Sequence, residues 1–164
     1  MINRELIRIK VVQLTYAYYQ NGNKNIDNAE KELLFSLSKA YDMYNYLLGL
    51  IVAIKNEECR RIEIGMTRAK REGTEEPSQK FVCNKFALQL EDNIQLSEFL
   101  DIQNLTWDDN IEVVRKLCDR IEESQIYKDY MADTDDSYEA DREIWRKIYR
   151  TLIQDNEDLD ELFE

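Results

Sequence analysis

Three cations near the start of the chain are of types that could bind an anionic partner. Arg4 and Arg8 are four residues apart, so in a helix they lie one turn apart on the same face, whereas Lys10 lies on a different side. Arginines near the start of a helix can reach phosphates and stack on unpaired bases. These three residues are therefore candidate contacts for an anionic partner. The alternative is that Arg4 and Arg8 pair with carboxylates in the second half of the chain.

A second basic surface is predicted at the end of the second helix. Its members are Arg60, Arg61, Arg68, Lys70 and Arg71. Positive charge near the C-terminus of a helix suits the helix dipole. The set could bind an anionic partner, or it could be a solvated helix end that projects beyond the core.

The residues needed for the commonest kinds of catalysis are missing from the sequence. There is no histidine, which removes Ser-His and Cys-His nucleophiles, the usual zinc sites and the commonest general base. Cys59, Cys83 and Cys118 are odd in number and widely spaced, which indicates reduced thiols in a cytoplasmic protein. We therefore predict a protein that is not an enzyme and has no catalytic residue and no cofactor.

Acidic stretches offer no convincing metal site. Asp133, Asp135 and Ser137 begin like a calcium loop, but Tyr138 stands where that loop needs glycine. The acidic turn at 155–161 is interpreted as solvated. No metal is predicted.

Charge is distributed unevenly along the chain. Residues 1–90 contain 14 Lys and Arg against 11 Asp and Glu, whereas residues 91–164 contain 8 against 23, so the second part has a net charge of −15. Such a split indicates distinct partners, and the acidic half should repel nucleic acid. One hypothesis that follows is an acidic helical protein–protein interaction module with no RNA binding.

Composition and periodicity predict an all-α fold. The chain has only one proline and four glycines, and the longest apolar stretch, Tyr46 to Ile54, is too short to cross a membrane. Residues 2–20 are apolar around most of a helix, which predicts a central helix surrounded by others. We expect a single domain, 1–164, or a fragment of one, built as an irregular bundle of about five to seven helices.

The later elements follow from capping and spacing. A second helix is predicted from Asp27 to about Arg71, then a loop at 72–79 that could be mobile, and a helix at 81–90. Asp136 is predicted to cap the helix that carries Ile144 and Trp145. Residues 91–164 form the acidic second half.

The last residues contain a short apolar stripe, Leu159, Leu162 and Phe163. Exposed on a terminal helix, this stripe would need a cover. We expect that a homodimer contact or a further C-terminal region covers it.

Two stretches resemble a known family. Arg4, Arg8, Gln13 and Tyr16 follow the order R-x-x-x-R-x-x-x-x-Q-x-x-Y, which resembles the opening helix of NusB, the all-helical bacterial transcription antitermination factor. Asp141 to Phe163 is similar to a later helix-break-helix of that family, and residues 112–131 are a fainter version of it. The arrangement resembles the N-terminal half of the long form of the family.

The resemblance implies a function and partners. It implies an adaptor in transcription antitermination that binds RNA at the boxA element of rRNA leaders, together with NusE, a ribosomal protein of the small subunit. Matched position by position, Arg4 and Arg8 carry over as RNA contacts. Lys10 is added from its charge alone.

Overall fold

A computed structural model describes residues 4–20, 22 and 25–163. Within these residues the fold is all-α, with eight α-helices and no strand, which confirms the predicted class. The helices are α1 (Arg4–Gln20), α2 (Ile26–Glu72), α3 (Lys85–Glu91), α4 (Ile94–Gln103), α5 (Ile111–Glu123), α6 (Gln125–Ala132), α7 (Tyr138–Ile148) and α8 (Glu157–Phe163). A 3-10 turn, Asp108–Asn110, precedes α5, and a π-helical segment, Tyr149–Ile153, follows α7.

The helices outnumber the five to seven that were predicted, because residues 85–103 form two short helices. Each begins at a capping asparagine. The Asn84 side chain accepts hydrogen bonds from the backbone N–H groups of Phe86 and Ala87, and the Asn93 side chain accepts one from Leu96.

The chain divides into two compact units, Met1–Tyr46 and Leu47–Glu164, where the sequence predicts a single domain. Helix α2 contributes residues to both. The first unit has 6 Lys and Arg against 5 Asp and Glu, a net of +1, which leaves −13 for the second. The two units therefore differ strongly in charge.

The hydrophobic core described by the structure belongs to the second unit. Residues one helical turn apart on α5 and α7 face inward, as their spacing predicts. The buried apolar side chains of these two helices are Val114, Leu117, Cys118, Ile121, Ile144, Trp145 and Ile148. Leu50 and Ile54 of α2 and Phe81 complete the centre, all with no exposed surface. The core is thus built from helices distant in sequence.

The segment between α2 and α3 spans residues 73–84 and includes most of the loop predicted at 72–79. Gly73 has a positive φ of 68°, and the next residue, Thr74, donates its N–H to the carbonyl of Ala69, which closes the end of α2. Pro77 then packs so close to Gly65 that a Cβ there would lie 3.2 Å from the proline Cγ. The segment therefore lies back along α2.

The predicted helical start at residue 81 is wrong. Phe81 and Val82 are buried in the non-helical segment, and α3 begins only at Lys85, after the Asn84 cap.

The prediction that the first helix is central is also wrong. Helix α1 contains no buried residue, and several of its large apolar side chains are exposed, with Val12 at 67% and Tyr19 at 77%. A helix that is apolar around most of its surface can be covered by neighbouring helices. The pattern does not specify which helices those are.

The C-terminal stripe is less exposed than was expected, and the proposed cover by a homodimer contact or a further C-terminal region stays a prediction. Leu159 is 2% exposed within the second unit, and Leu162 and Phe163 are half-buried. No described helix is both long and apolar enough to cross a membrane.

Candidate functional site

The cationic face of α1 is open to solvent. Arg4 and Arg8 are exposed and Lys10 is half-buried. Within the first unit, none of the three side chains forms an ion pair or hydrogen bond with a described residue. The pairing of Arg4 and Arg8 with carboxylates in the second half of the chain, which belongs to the other unit, stays a prediction.

The same unit exposes an unusual amount of apolar surface. On α1 the exposed large side chains are Ile7, Ile9, Val11, Val12, Tyr16 and Tyr19. On the first part of α2 they are Ile26, Leu34, Phe35, Tyr41, Met43 and Tyr44. Contiguous exposed apolar surface on a folded protein marks an interaction site more often than chance. The apolar pattern of residues 2–20 indicated that the α1 side chains would be surrounded by other helices, whereas the structure exposes them.

The second basic surface splits into two groups with different roles. Arg60 makes a bidentate pair with Glu57, at 2.9 Å from Nε and 2.6 Å from Nη2. Arg61 lies 2.8 Å from Asp119 of α5 and donates a hydrogen bond to the Arg115 carbonyl at 3.2 Å. Arg61 therefore belongs to the contacts between α2 and α5, whereas Arg60 is exposed and pairs with a carboxylate of its own helix.

The remaining members of that surface are accessible. Arg68 and Lys70 are exposed and form no ion pair with a described residue, and Arg71 pairs only with its neighbour Glu72, at 3.2 Å. Of the five predicted cations, Arg68 and Lys70 are therefore the two without an ion pair among the described residues.

Buried carboxylates surround Arg61. Hydrogen bonds from Arg60 hold the pKa of Glu57 below its usual value. Burial, together with the nearby Glu122 carboxylate, raises the pKa of Glu58 to about 7. Glu58 is 2% exposed, and its Oε1 has no hydrogen-bond partner. The cluster joins α2 to α5, and sequence spacing alone did not reveal it because its members lie on two helices.

A second buried polar cluster joins α3, α6 and α7. The Tyr130 hydroxyl donates to the Asp141 carboxylate at 2.6 Å, and the other oxygen of that carboxylate accepts the Lys85 N–H at 2.7 Å. Asn84 donates to the Asp141 carbonyl at 3.0 Å. Each of these hydrogen bonds joins two groups of the chain itself, so this cluster holds the three helices together.

Across the described residues, no group of three or more His, Cys, Asp or Glu side chains is placed to hold a metal ion. Asp158, in the first turn of α8, forms ion pairs with Lys116 at 2.7 Å and Arg120 at 3.1 Å. That carboxylate therefore serves packing between α5 and α8.

No family model, curated protein or solved structure matches this chain.

Proposed function

We propose that the chain is a non-catalytic RNA-binding and adaptor module of a NusB-like transcription antitermination factor, which contacts boxA-type RNA together with NusE. The observation that carries this proposal is the exposed pair Arg4 and Arg8 on one face of α1, whose side chains form no ion pair with a described carboxylate of their own unit. These are also the two residues that the family resemblance assigns to RNA.

The physical support is the availability of both guanidinium groups. An arginine that already holds a carboxylate must give up that bond before it can bind phosphate, and Arg60 and Arg61 are in that position. Arg4 and Arg8 need make no such exchange with the described residues. Their planar guanidinium groups can bind phosphate oxygens in a bidentate manner or stack on unpaired bases.

The adaptor part of the proposal draws on the apolar side chains of the same helix. Val12, Tyr16 and Tyr19 are exposed a few residues after the arginines. A helix that offers cations at its start and apolar side chains along its length can contact RNA and a protein at once. Three free cysteines are compatible with the cytoplasmic setting that such a factor requires.

The test is charge reversal at the arginines. We expect R4E/R8E to lower the affinity for a fluorescein-labelled single-stranded boxA-type RNA by at least about tenfold, because two charge-assisted hydrogen bonds are lost. Fluorescence anisotropy measures the affinity, and circular dichroism checks that helicity is retained.

The matched control is R142E/R150E. Both arginines are exposed, neither pairs with a described residue, and the double variant changes the net charge by the same amount. Equal affinity of wild type and R4E/R8E at low salt would contradict the proposal, as would an equal loss in the control.

The second candidate function is an acidic protein-interaction module without RNA binding. It is favoured by the net charge of −13 on residues 47–164. A partner captured by the whole chain, retained after nuclease treatment and released by added salt would support this alternative.

A further inference from the structure

An apolar cleft of about 430 Å³ opens in the second unit between α2, α4 and the turn before α5. Its volume falls within the range of roughly 300–1,000 Å³ that is typical of ligand pockets. The apolar lining includes Val52, Ala53, Leu96, Leu100, Trp107 and Ile111. The cleft contains no residue proposed to contact RNA.

Close packing shapes this cleft. Gly49 of α2 is buried, and a Cβ at that position would lie 3.0 Å from Leu100 Cδ1 and 3.7 Å from Trp107 Nε1. A Cβ at position 49 would therefore press on the Leu100 side chain, while its distance to Trp107 would be an ordinary contact. Trp107 is 5% exposed and Leu96 is also buried, so the lining is anchored in the core of the unit.

The charges that line the cleft are all of one sign. Four carboxylates, Glu57, Glu91, Asp101 and Asp108, lie among its lining residues, with no Lys or Arg. Two are already neutralised, since Glu57 pairs with Arg60 and Glu91 accepts a 2.7 Å hydrogen bond from Lys55.

The other two carboxylates are available. Asp101 and Asp108 are exposed, and neither forms an ion pair with a described residue. The cleft therefore combines an anchored apolar lining with two uncompensated negative charges, in a unit whose net charge is −13.

We propose that this cleft binds a basic amphipathic segment of a partner protein. An apolar side chain of that segment contacts Leu96 and Leu100, and its Arg or Lys side chains pair with Asp101 and Asp108. Charge complementarity selects this occupant, because the cleft would repel an acidic peptide or a nucleic acid. The site goes beyond the RNA proposal and does not depend on it.

The probe is a labelled synthetic helical peptide with leucine on one face and arginine on the other. We expect D101N/D108N to weaken its binding by at least about fivefold, because two attractive charges are removed from the rim of the cleft. Fluorescence anisotropy at low salt gives the affinity, and methyl NMR shifts of Leu96 and Leu100 locate the contact.

Two controls make the result specific. E75Q/E76Q removes the same charge from two exposed residues outside the cleft, and R4E/R8E alters only the RNA candidates, so both should bind the peptide as wild type does. A companion peptide with serine in place of leucine should bind more weakly than the original.

Three results would overturn the proposal: no binding by wild type, an equal loss in E75Q/E76Q, or equal binding of the serine peptide. The last two would indicate non-specific attraction to an acidic protein. Since R4E/R8E tests RNA binding separately, failure here is distinguishable from failure of the proposed function.

Discussion

Arg4 and Arg61 show why a charged residue cannot be assigned a role from its spacing alone. Both lie near another arginine on a helix, and both were candidates for an anionic partner. In the structure Arg61 meets Asp119 on a different helix, whereas Arg4 forms no ion pair with a described carboxylate of its own unit. The distinction depends on which helices pack together, and local sequence does not carry that information.

Glu58 makes the stability of the second unit sensitive to pH. Its pKa is near 4.5 in the unfolded chain and about 7 in the folded one, because it is buried beside Glu122. Folding therefore favours the protonated form, and this contribution is present in full below pH 4.5 and lost as the pH rises through 7.

We expect Glu58→Gln to remove this dependence. The wild type should lose up to about 3 kcal/mol of unfolding free energy, relative to the variant, between about pH 5 and about pH 8. Urea unfolding of both proteins across that range is the measurement. A difference between the two that does not change with pH would show that Glu58 does not titrate as described.

At the scale of elements, amphipathic spacing located the helices whose partners lie within the second unit. The apolar stripes of α5 and α7, which include Ile144 and Trp145, are buried because a one-sided stripe has only one face to bury. The cap of α7 was displaced by one residue: Ser137 accepts the Ala140 N–H where Asp136 had been predicted. Adjacent capping residues compete, and only the backbone geometry decides between them.

Helix α1 was predicted to be central because its residues are apolar around most of the helix, yet none of its residues is buried. The sequence also did not predict the cleft or the ionic clusters of the second unit. Gly49 has no distinguishing local pattern, and its importance lies in contacts with Leu100 and Trp107, more than fifty residues away. Sequence periodicity predicts elements well, but it does not predict which surfaces meet.

The asparagine caps provide a test at this scale. Asn84 is fully buried and bonds both to the start of α3 and to Tyr130 and Asp141, whereas Asn93 is exposed and accepts one bond from Leu96. We expect Asn84→Ala to lower the unfolding free energy by about 3 kcal/mol, and Asn93→Ala by about 1 kcal/mol. Chemical denaturation measures both. An equal loss of unfolding free energy in both variants would show that the hydrogen bonds of Asn84 to Tyr130 and Asp141 add nothing beyond helix capping.

At the scale of the whole molecule, two units of different character share one chain. Residues 1–46 are nearly neutral and expose apolar and tyrosine side chains, whereas residues 47–164 contain the described core and most of the negative charge. The whole chain has a net charge of −12, so any RNA contact must depend on a few local cations rather than on overall attraction. This makes Arg4 and Arg8 decisive for the proposed function.

The salt dependence of RNA binding tests this claim most directly. Each arginine that neutralises a phosphate of single-stranded RNA contributes about 0.7 to the slope of log affinity against log salt concentration. We therefore expect the magnitude of the slope for boxA-type RNA to fall by about 1.4 from wild type to R4Q/R8Q, and to stay unchanged in R142Q/R150Q. A slope that is the same in wild type and R4Q/R8Q would contradict the assignment of these arginines to RNA.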